Sequence, residues 1–181
     1  GYGGSCFPKD TLALVKTAQD HAAPLRIVET VAAVNDQRKR AMARKVIQAC
    51  GGSVRDKTVA VLGLTFKPNT DDMRDAPSIA VVQALRDAGA TVKAFDPEGM
   101  KQARPLLGDI VYAENAYDCV TGADAVCIVT EWDTFRALDL DRVKSLVKAP
   151  VVVDLRNIYR PEDMARRGFV YHSVGRRDAG V

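Results

Sequence analysis

From residue 57 onward the chain alternates short apolar runs with helical stretches, and no other feature limits its fold as much. Residues 57–64 (KTVAVLGL) form a continuous apolar run, the pattern of a parallel strand covered on both faces. Residues 91–96, 110–113, 124–130 (DAVCIVT), 151–155 (VVVDL) and 169–172 read as further strands. Helices are expected over 77–88, 98–107, 116–122, 138–147 and 161–167. Pro77 then falls in a first helical turn and Gly89 just past a helix end, positions those residues favour. Strands alternating with helices at this spacing imply βαβ units and a parallel sheet. Right-handed crossovers fold such a chain into a doubly wound, Rossmann-like α/β layer.

Two helices are expected ahead of this sheet. The shorter spans 11–21, where Leu12, Val15 and Ala18 recur at helical spacing. His21 at its end reads as solvated or facing the helix dipole. Pro24 can stand only at the start of the next helix, which runs over 25–50 until Gly51-Gly52 stops it. At ~1.5 Å per residue that helix is roughly 40 Å long, more than a small domain needs. Such a helix links two domains or packs against a copy of itself; a simple core helix is the plainer alternative. The fold expected is therefore a long central helix followed by a Rossmann-like sheet. The chain divides into 1–50, a sheet domain over 51–174 and a tail over 175–181 expected to be disordered.

Composition narrows the function classes. The net charge of +3 is too small to argue for nucleic acid or an anionic membrane surface. No apolar run approaches the ~18 residues of a membrane span. Cys6, Cys50, Cys119 and Cys127 are widely spaced with no CxxC pair. That speaks against a zinc site or any other metal centre and against a disulfide framework, and suits a reducing cytoplasm.

Chemistry concentrates in the first ten residues, GYGGSCFPKD. Three glycines in four positions allow close approach to a ligand and positive φ. Cys6 then stands just before a helix N-terminus, with Pro8 near the first turn, and there unpaired N–H groups and the dipole favour a thiolate. Lys9 adds positive charge, and Asp10 is placed to act as a base toward something bound at sulfur. The alternative is a plain loop with an inert cysteine. In an open α/β sheet ligands sit beyond the carboxyl ends of the strands. Residues 65–78, 130–133 and 154–157 occupy those positions. The first loop carries Lys67, Asp71, Asp72, Arg74 and Asp75 and is long for a βα connection, where ~2–6 residues are usual. Gly63 stands alone, so the dinucleotide fingerprint G-x-G-x-x-G is missing. Trp132 could stack a base or simply pack at a strand end.

Two stretches resemble one family. GYGGSCFPKD is similar to the active-site segment G-[FY]-G-G-S-C-[FL]-x-K-D of the UDP-glucose dehydrogenases. Residues 63–78 (GLTFKPNTDDMRDAPS) are similar to that family's G-L-[TAS]-F-K-x-x-T-x-D-x-R-x-[AS]-P-S segment. The resemblance covers essentially the whole chain as the family's central and C-terminal parts. It implies that residues 1–50 hold an active-site loop and the central helix of a homodimer, and that residues 51–174 bind the UDP-sugar. The NAD-binding N-terminal domain is then absent from this chain, which is expected to be inactive alone, and the true N-terminus is expected to lie upstream. The resemblance further implies oxidation of UDP-glucose by NAD in two hydride transfers, through a thiohemiacetal and a thioester on Cys6. Asp10 would orient and deprotonate water. Gly1, Tyr2, Gly3, Phe66, Lys67 and Arg156 align with positions that contact the substrate. Phe7, Pro8, Lys9 and Arg74 align with positions near NAD. The alternatives are another sugar nucleotide, GDP-mannose above all, or a non-catalytic nucleotide-binding or dimerisation module.

Overall fold

The structure is a computed structural model that describes residues 1–180; Val181 lies outside it. Its centre is a 6-stranded, all-parallel sheet. The strands are β1 (Thr58–Leu62), β2 (Thr91–Phe95), β3 (Val111–Tyr112), β4 (Ala125–Ile128), β5 (Val151–Asp154) and β6 (Val170–Ser173). They lie in the order β3-β2-β1-β4-β5-β6. This is the doubly wound arrangement expected from the alternation, and the chain reverses direction of travel between β1 and β4. Those two central strands are paired Val59 to Ala125 through Leu62 to Ile128.

Two helices precede the sheet, α1 (Phe7–Asp20) and α2 (Arg26–Ala49). Six more connect its strands: α3 (Pro77–Asp87), α4 (Met100–Leu107), α5 (Ala116–Val120), α6 (Asp133–Arg136), α7 (Leu140–Leu146) and α8 (Pro161–Arg166). Successive strand residues point to opposite faces, and each face has its own apolar layer. Val59, Val61, Cys127 and Val153 pack under α3 and the end of α2, with Val46, Val81 and Leu85. Ala60, Leu62, Ile128 and Val152 pack on the other side with Phe135, Met164, Phe169 and Tyr171. Each such buried leucine, isoleucine or phenylalanine stabilises the fold by roughly 2 kcal/mol relative to an exposed one.

Three details depart from the sequence expectation. The first helix begins at Phe7 rather than near residue 11, while Cys6 just before its N-terminus and Pro8 in its first turn stand as expected. A single helical turn, α6, follows β4; four residues are too few to show a periodicity. The tail is the correction of substance. Residues 175–180, expected to be disordered, return along β6, where Tyr171 and Ala179 exchange N–H···O bonds of 2.8 and 3.0 Å. Gly175 at φ +70° allows the reversal, and an edge strand offers free backbone groups to pair. Asp178 adds a bond to His172 at 2.9 Å. Residue 181 of that expected tail lies outside the described residues.

Candidate active site

The carboxyl edge of the sheet is built around two buried carboxylates. Asp96, just after β2, is 0% exposed. Its Oδ2 accepts from the backbone N–H of Leu64 (2.7 Å) and Thr65 (3.0 Å), and from the Trp132 indole (3.2 Å). Its Oδ1 accepts from the N–H of Glu98 and Gly99. In a dinucleotide-binding Rossmann sheet an acidic residue near this point meets a ribose hydroxyl. Here it faces inward and holds the start of the 65–78 loop. Gly63, at φ +95°, makes this possible: a Cβ there would lie 2.5 Å from the Thr130 backbone nitrogen. Trp132 is 6% exposed and part of the core, so it packs rather than offering a face to a base.

Asp154 does the same for the loop after β5. Its Oδ1 accepts from Arg156 N (2.9 Å). Its Oδ2 accepts from Ile158 N (2.8 Å), Tyr159 N (3.2 Å) and the Tyr171 hydroxyl (2.6 Å). Burial and the neighbouring carboxylate push the Tyr171 hydroxyl well above its ordinary pKa, which keeps it a donor.

The glycine-rich segment is stitched to the first of these loops and to α2. Gly4 N donates to Arg74 O at 2.8 Å. At φ +91°, Gly4 lies against the Phe66 ring, which a Cβ would approach to 2.7 Å. A Cβ on Gly3 would collide with the Asp75 carbonyl. The buried Asn35 side chain brackets Tyr2, accepting from its N–H at 2.7 Å and donating to its carbonyl at 3.1 Å. Tyr2 and Phe7 meet edge to face, 4.5 Å between centroids. The visible use of these small residues is thus close packing of the segment on its own protein.

Cys6 is the N-cap residue of α1. It is exposed, with its Sγ 3.6 Å from Ser5 Oγ, whereas Cys50, Cys119 and Cys127 are buried. Burial pushes the Cys119 thiol up to about 12 and raises Cys50 and Cys127 as well, which leaves them inert. Asp10 N donates to Cys6 O at 2.8 Å, one turn on. The Asp10 carboxylate is paired with Lys9, and both are exposed. Lys67 is exposed with its Nζ 5.4 Å from the Phe66 ring centre. Arg74 grips Asp72 through Nε and Nη2, each at 2.9 Å. That grip holds the Asp72 carboxyl below its usual range and raises Arg74. Cys6, Lys9 and Asp10 make no hydrogen bond to Lys67, Arg74 or Arg156 among the described residues. Arg156 instead lines a cavity of about 190 Å³ with Gly1, Arg38, Lys39, Leu155 and Val174, among others. Its Nε and Nη2 hold Glu131 at 2.5 and 2.7 Å. Among the described residues no cluster of His, Cys, Asp or Glu could hold a metal ion. Nor is any helix long and apolar enough to cross a membrane.

This chain matches the description of the UDP binding domain of the UDP-glucose/GDP-mannose dehydrogenase family over residues 60–161, and of that family's central domain over residues 1–37. The chain belongs to the UDP-glucose/GDP-mannose dehydrogenase family. It is 65% identical over 178 residues to a UDP-glucose 6-dehydrogenase of Rhizobium meliloti (strain 1021), covering 98% of this chain and 41% of that relative. A UDP-glucose dehydrogenase structure from the hyperthermophilic archaeon Pyrobaculum islandicum is similar at TM-score 0.78 and 35% identity, covering 95% of this chain and 37% of that one. An NDP-N-acetyl-D-galactosaminuronic acid dehydrogenase from Methanosarcina mazei Go1 gives TM-score 0.85 at 28% identity, with 99% and 39% covered. The chain thus spans about two-fifths of the length of these relatives, which are dehydrogenases.

Within this dehydrogenase family member, sequence reasoning missed Asn35, Asp96, Glu131 and Asp154 as organisers of the site. Asp96 and Asp154 each end an apolar strand run. That was the available signal, since a carboxylate there must be satisfied by its surroundings. Asn35 and Glu131 offered none, because their partners lie 33 and 25 residues away. The residues of this sheet do not fit a dinucleotide: the glycine cradle is missing and Asp96 fills the position with its own contacts.

Proposed function

We propose that this chain is the central and C-terminal part of an NAD-dependent UDP-glucose 6-dehydrogenase. That enzyme converts the C6 alcohol of UDP-glucose into the carboxylate of UDP-glucuronate in two oxidations. The observation that carries this reading is the position of Cys6. It is the exposed thiol among the four cysteines, at the head of α1, on a segment tied through Gly4 to the loop bearing Phe66, Lys67 and Arg74. NAD would supply the hydride acceptor, and of this chain Phe7, Pro8, Lys9 and Arg74 would border it.

In this reading Gly1 and Gly3 offer backbone to the substrate, and Tyr2, whose own N–H and carbonyl are held by Asn35, keeps that stretch in place beside it. Phe66 gives it an apolar face, and Lys67 and Arg156 meet its charged oxygens. At the aldehyde stage Cys6 sulfur bonds to C6 and the carbonyl oxygen takes a proton, giving a thiohemiacetal. This holds a reactive aldehyde in place. Two-electron oxidation of that adduct leaves a thioester on Cys6. Asp10 takes a proton from water as its oxygen attacks, and the C–S bond breaks to release the carboxylate. Backbone N–H groups of the glycine-rich segment other than those of Tyr2 and Gly4, which are already paired, contribute to stabilising the oxyanion.

A second copy completes the assembly. Leu12 and Leu14 of α1 and Ile27, Val31 and Val34 of α2 are exposed. Ile27, Val31 and Val34 recur at helical spacing on one face of α2, and we assign that face to a homodimer through α2. Activity tests the reading. The full-length enzyme is expected to make NADH from UDP-glucose and not from GDP-mannose, and the chain alone to make none. Turnover by the chain alone, or a preference for GDP-mannose, contradicts it.

A further inference from the structure

The pair Glu131–Arg156 joins the loops after two neighbouring strands, β4 and β5, at the carboxyl edge. Of the described ion pairs it is the one in which both side chains are less than a third exposed, at 32% for Arg156 and 26% for Glu131. Exposed pairs are screened by water and fix little; this one is partly withdrawn from it. Its geometry is the two-point fork, Nε to Oε2 at 2.5 Å and Nη2 to Oε1 at 2.7 Å. A fork fixes the plane of a guanidinium as well as its distance. The backbone of Arg156 is fixed as well, through its N–H to the buried Asp154. The side chain is therefore held at both ends while it lines the cavity beside Gly1 and Arg38.

We infer that Glu131 is the positioning residue for Arg156, gripping the Nε–Nη2 edge of the guanidinium so that the Nη1 edge is the one presented to the nucleotide sugar. This rests on the reading of Arg156 as a substrate-binding residue. A guanidinium has five N–H groups. With Nε–H and one Nη2–H committed to Glu131, both Nη1–H groups and the remaining Nη2–H stay free. Glu131 also offsets one positive charge in a cavity that Arg38 and Lys39 line too.

The test is steady-state kinetics of the full-length enzyme with Arg156→Ala, Glu131→Ala and Glu131→Gln. Glu131→Ala is expected to raise KM for UDP-glucose about tenfold with a much smaller change in kcat, the sign of lost binding rather than lost chemistry. Glu131→Gln keeps one of the two acceptor oxygens and turns an amide N–H toward the guanidinium, so it is expected to recover only part of that loss; a merely structural role in the loop would instead lower Tm and leave KM unchanged. Inorganic phosphate is expected to inhibit Glu131→Ala more strongly than the parent enzyme, since the cavity gains net positive charge. If Arg156→Ala raises KM but Glu131→Ala leaves it unchanged, the positioning role is overturned and the substrate contact stands. If Arg156→Ala itself leaves KM unchanged, both fall.

Discussion

The loops at the carboxyl edge of the sheet and the helix that carries Cys6 are built by opposite means. The loops are anchored from beneath. Asp96 and Asp154 are fully buried, and each collects several donors from the loop it supports. α1 has no such anchor: of its 14 residues only Pro8 and Ala18 are buried, and Phe7 is 60% exposed. Its charged pair, Lys9 and Asp10, stands in solvent. The chain thus preorganises the part of the site that we assign to substrate binding. It leaves the part that we assign to chemistry on a helix with an uncovered side. A fixed binding loop needs buried hydrogen bonds within its own domain, whereas a catalytic helix can take its final cover from another surface.

That contrast can be broken by mutation. The largest effect is expected at Asp96. Asp96→Ala leaves several buried donors without a partner, at ~1–3 kcal/mol for each unsatisfied group. A loss of at least ~4 kcal/mol should lower Tm by roughly 10 °C for a chain of this size. A Tm within 2–3 °C of the parent, on this same scale of ~2–4 °C per kcal/mol, would mean that the loop does not hang on that carboxylate.

Gly4→Ala comes next. It puts a Cβ 2.7 Å from the Phe66 ring at φ +91°. Backbone strain of this kind costs on the order of 1–3 kcal/mol. Chemical denaturation should show a lower midpoint with an unchanged slope, and an unchanged midpoint would separate the glycine-rich segment from the Phe66 loop.

The sheet owes most of its legibility to its apolar runs. Strands such as VVVD and TVAVL are buried nearly throughout, so continuous hydrophobicity and helix–strand alternation were enough to give the strands and a parallel, doubly wound sheet. The apolar period missed the first turn of α1, since Phe7-Pro8 starts no period, and only Pro8 pointed to it. The tail was obscured because its pairing depends on which strand lies at the edge, a property of the folded sheet. The sequence pointed to the loops after β1, β4 and β5, and the structure places them together at one edge. What it could not disclose was their support, since Asp96 reaches back 31 and 32 residues to Thr65 and Leu64. A buried carboxylate is read from its partners, and those appear only when distant segments meet.

Acid should sharpen the comparison more gently. Burial alone would raise the Glu131 carboxyl, but the hydrogen bonds and charge of Arg156 outweigh it and hold it below its ordinary 4.5. A depressed folded value means the stabilisation is complete above the unfolded value near 4.5 and is lost as pH falls through the lower folded one. Thermal scans from pH 6 down to 3 should therefore show a fall that Glu131→Gln reduces. Equal falls in both chains would show that the pair contributes nothing to folding. The smallest effect belongs to Lys9→Ala, which removes an exposed ion pair. It should leave Tm unchanged, and a clear drop would show α1 to be more firmly built than its exposure indicates.

The most direct test concerns the thiol itself. Full-length enzyme carrying Asp10→Asn, quenched during turnover with UDP-glucose and NAD, is read by mass spectrometry of its Cys6 peptide. Slowed hydrolysis should leave a UDP-glucuronyl thioester on Cys6, absent when Cys6→Ser is added. A peptide that stays unmodified while product forms at the normal rate, or an adduct on another cysteine, would contradict the assignment of Cys6 as nucleophile.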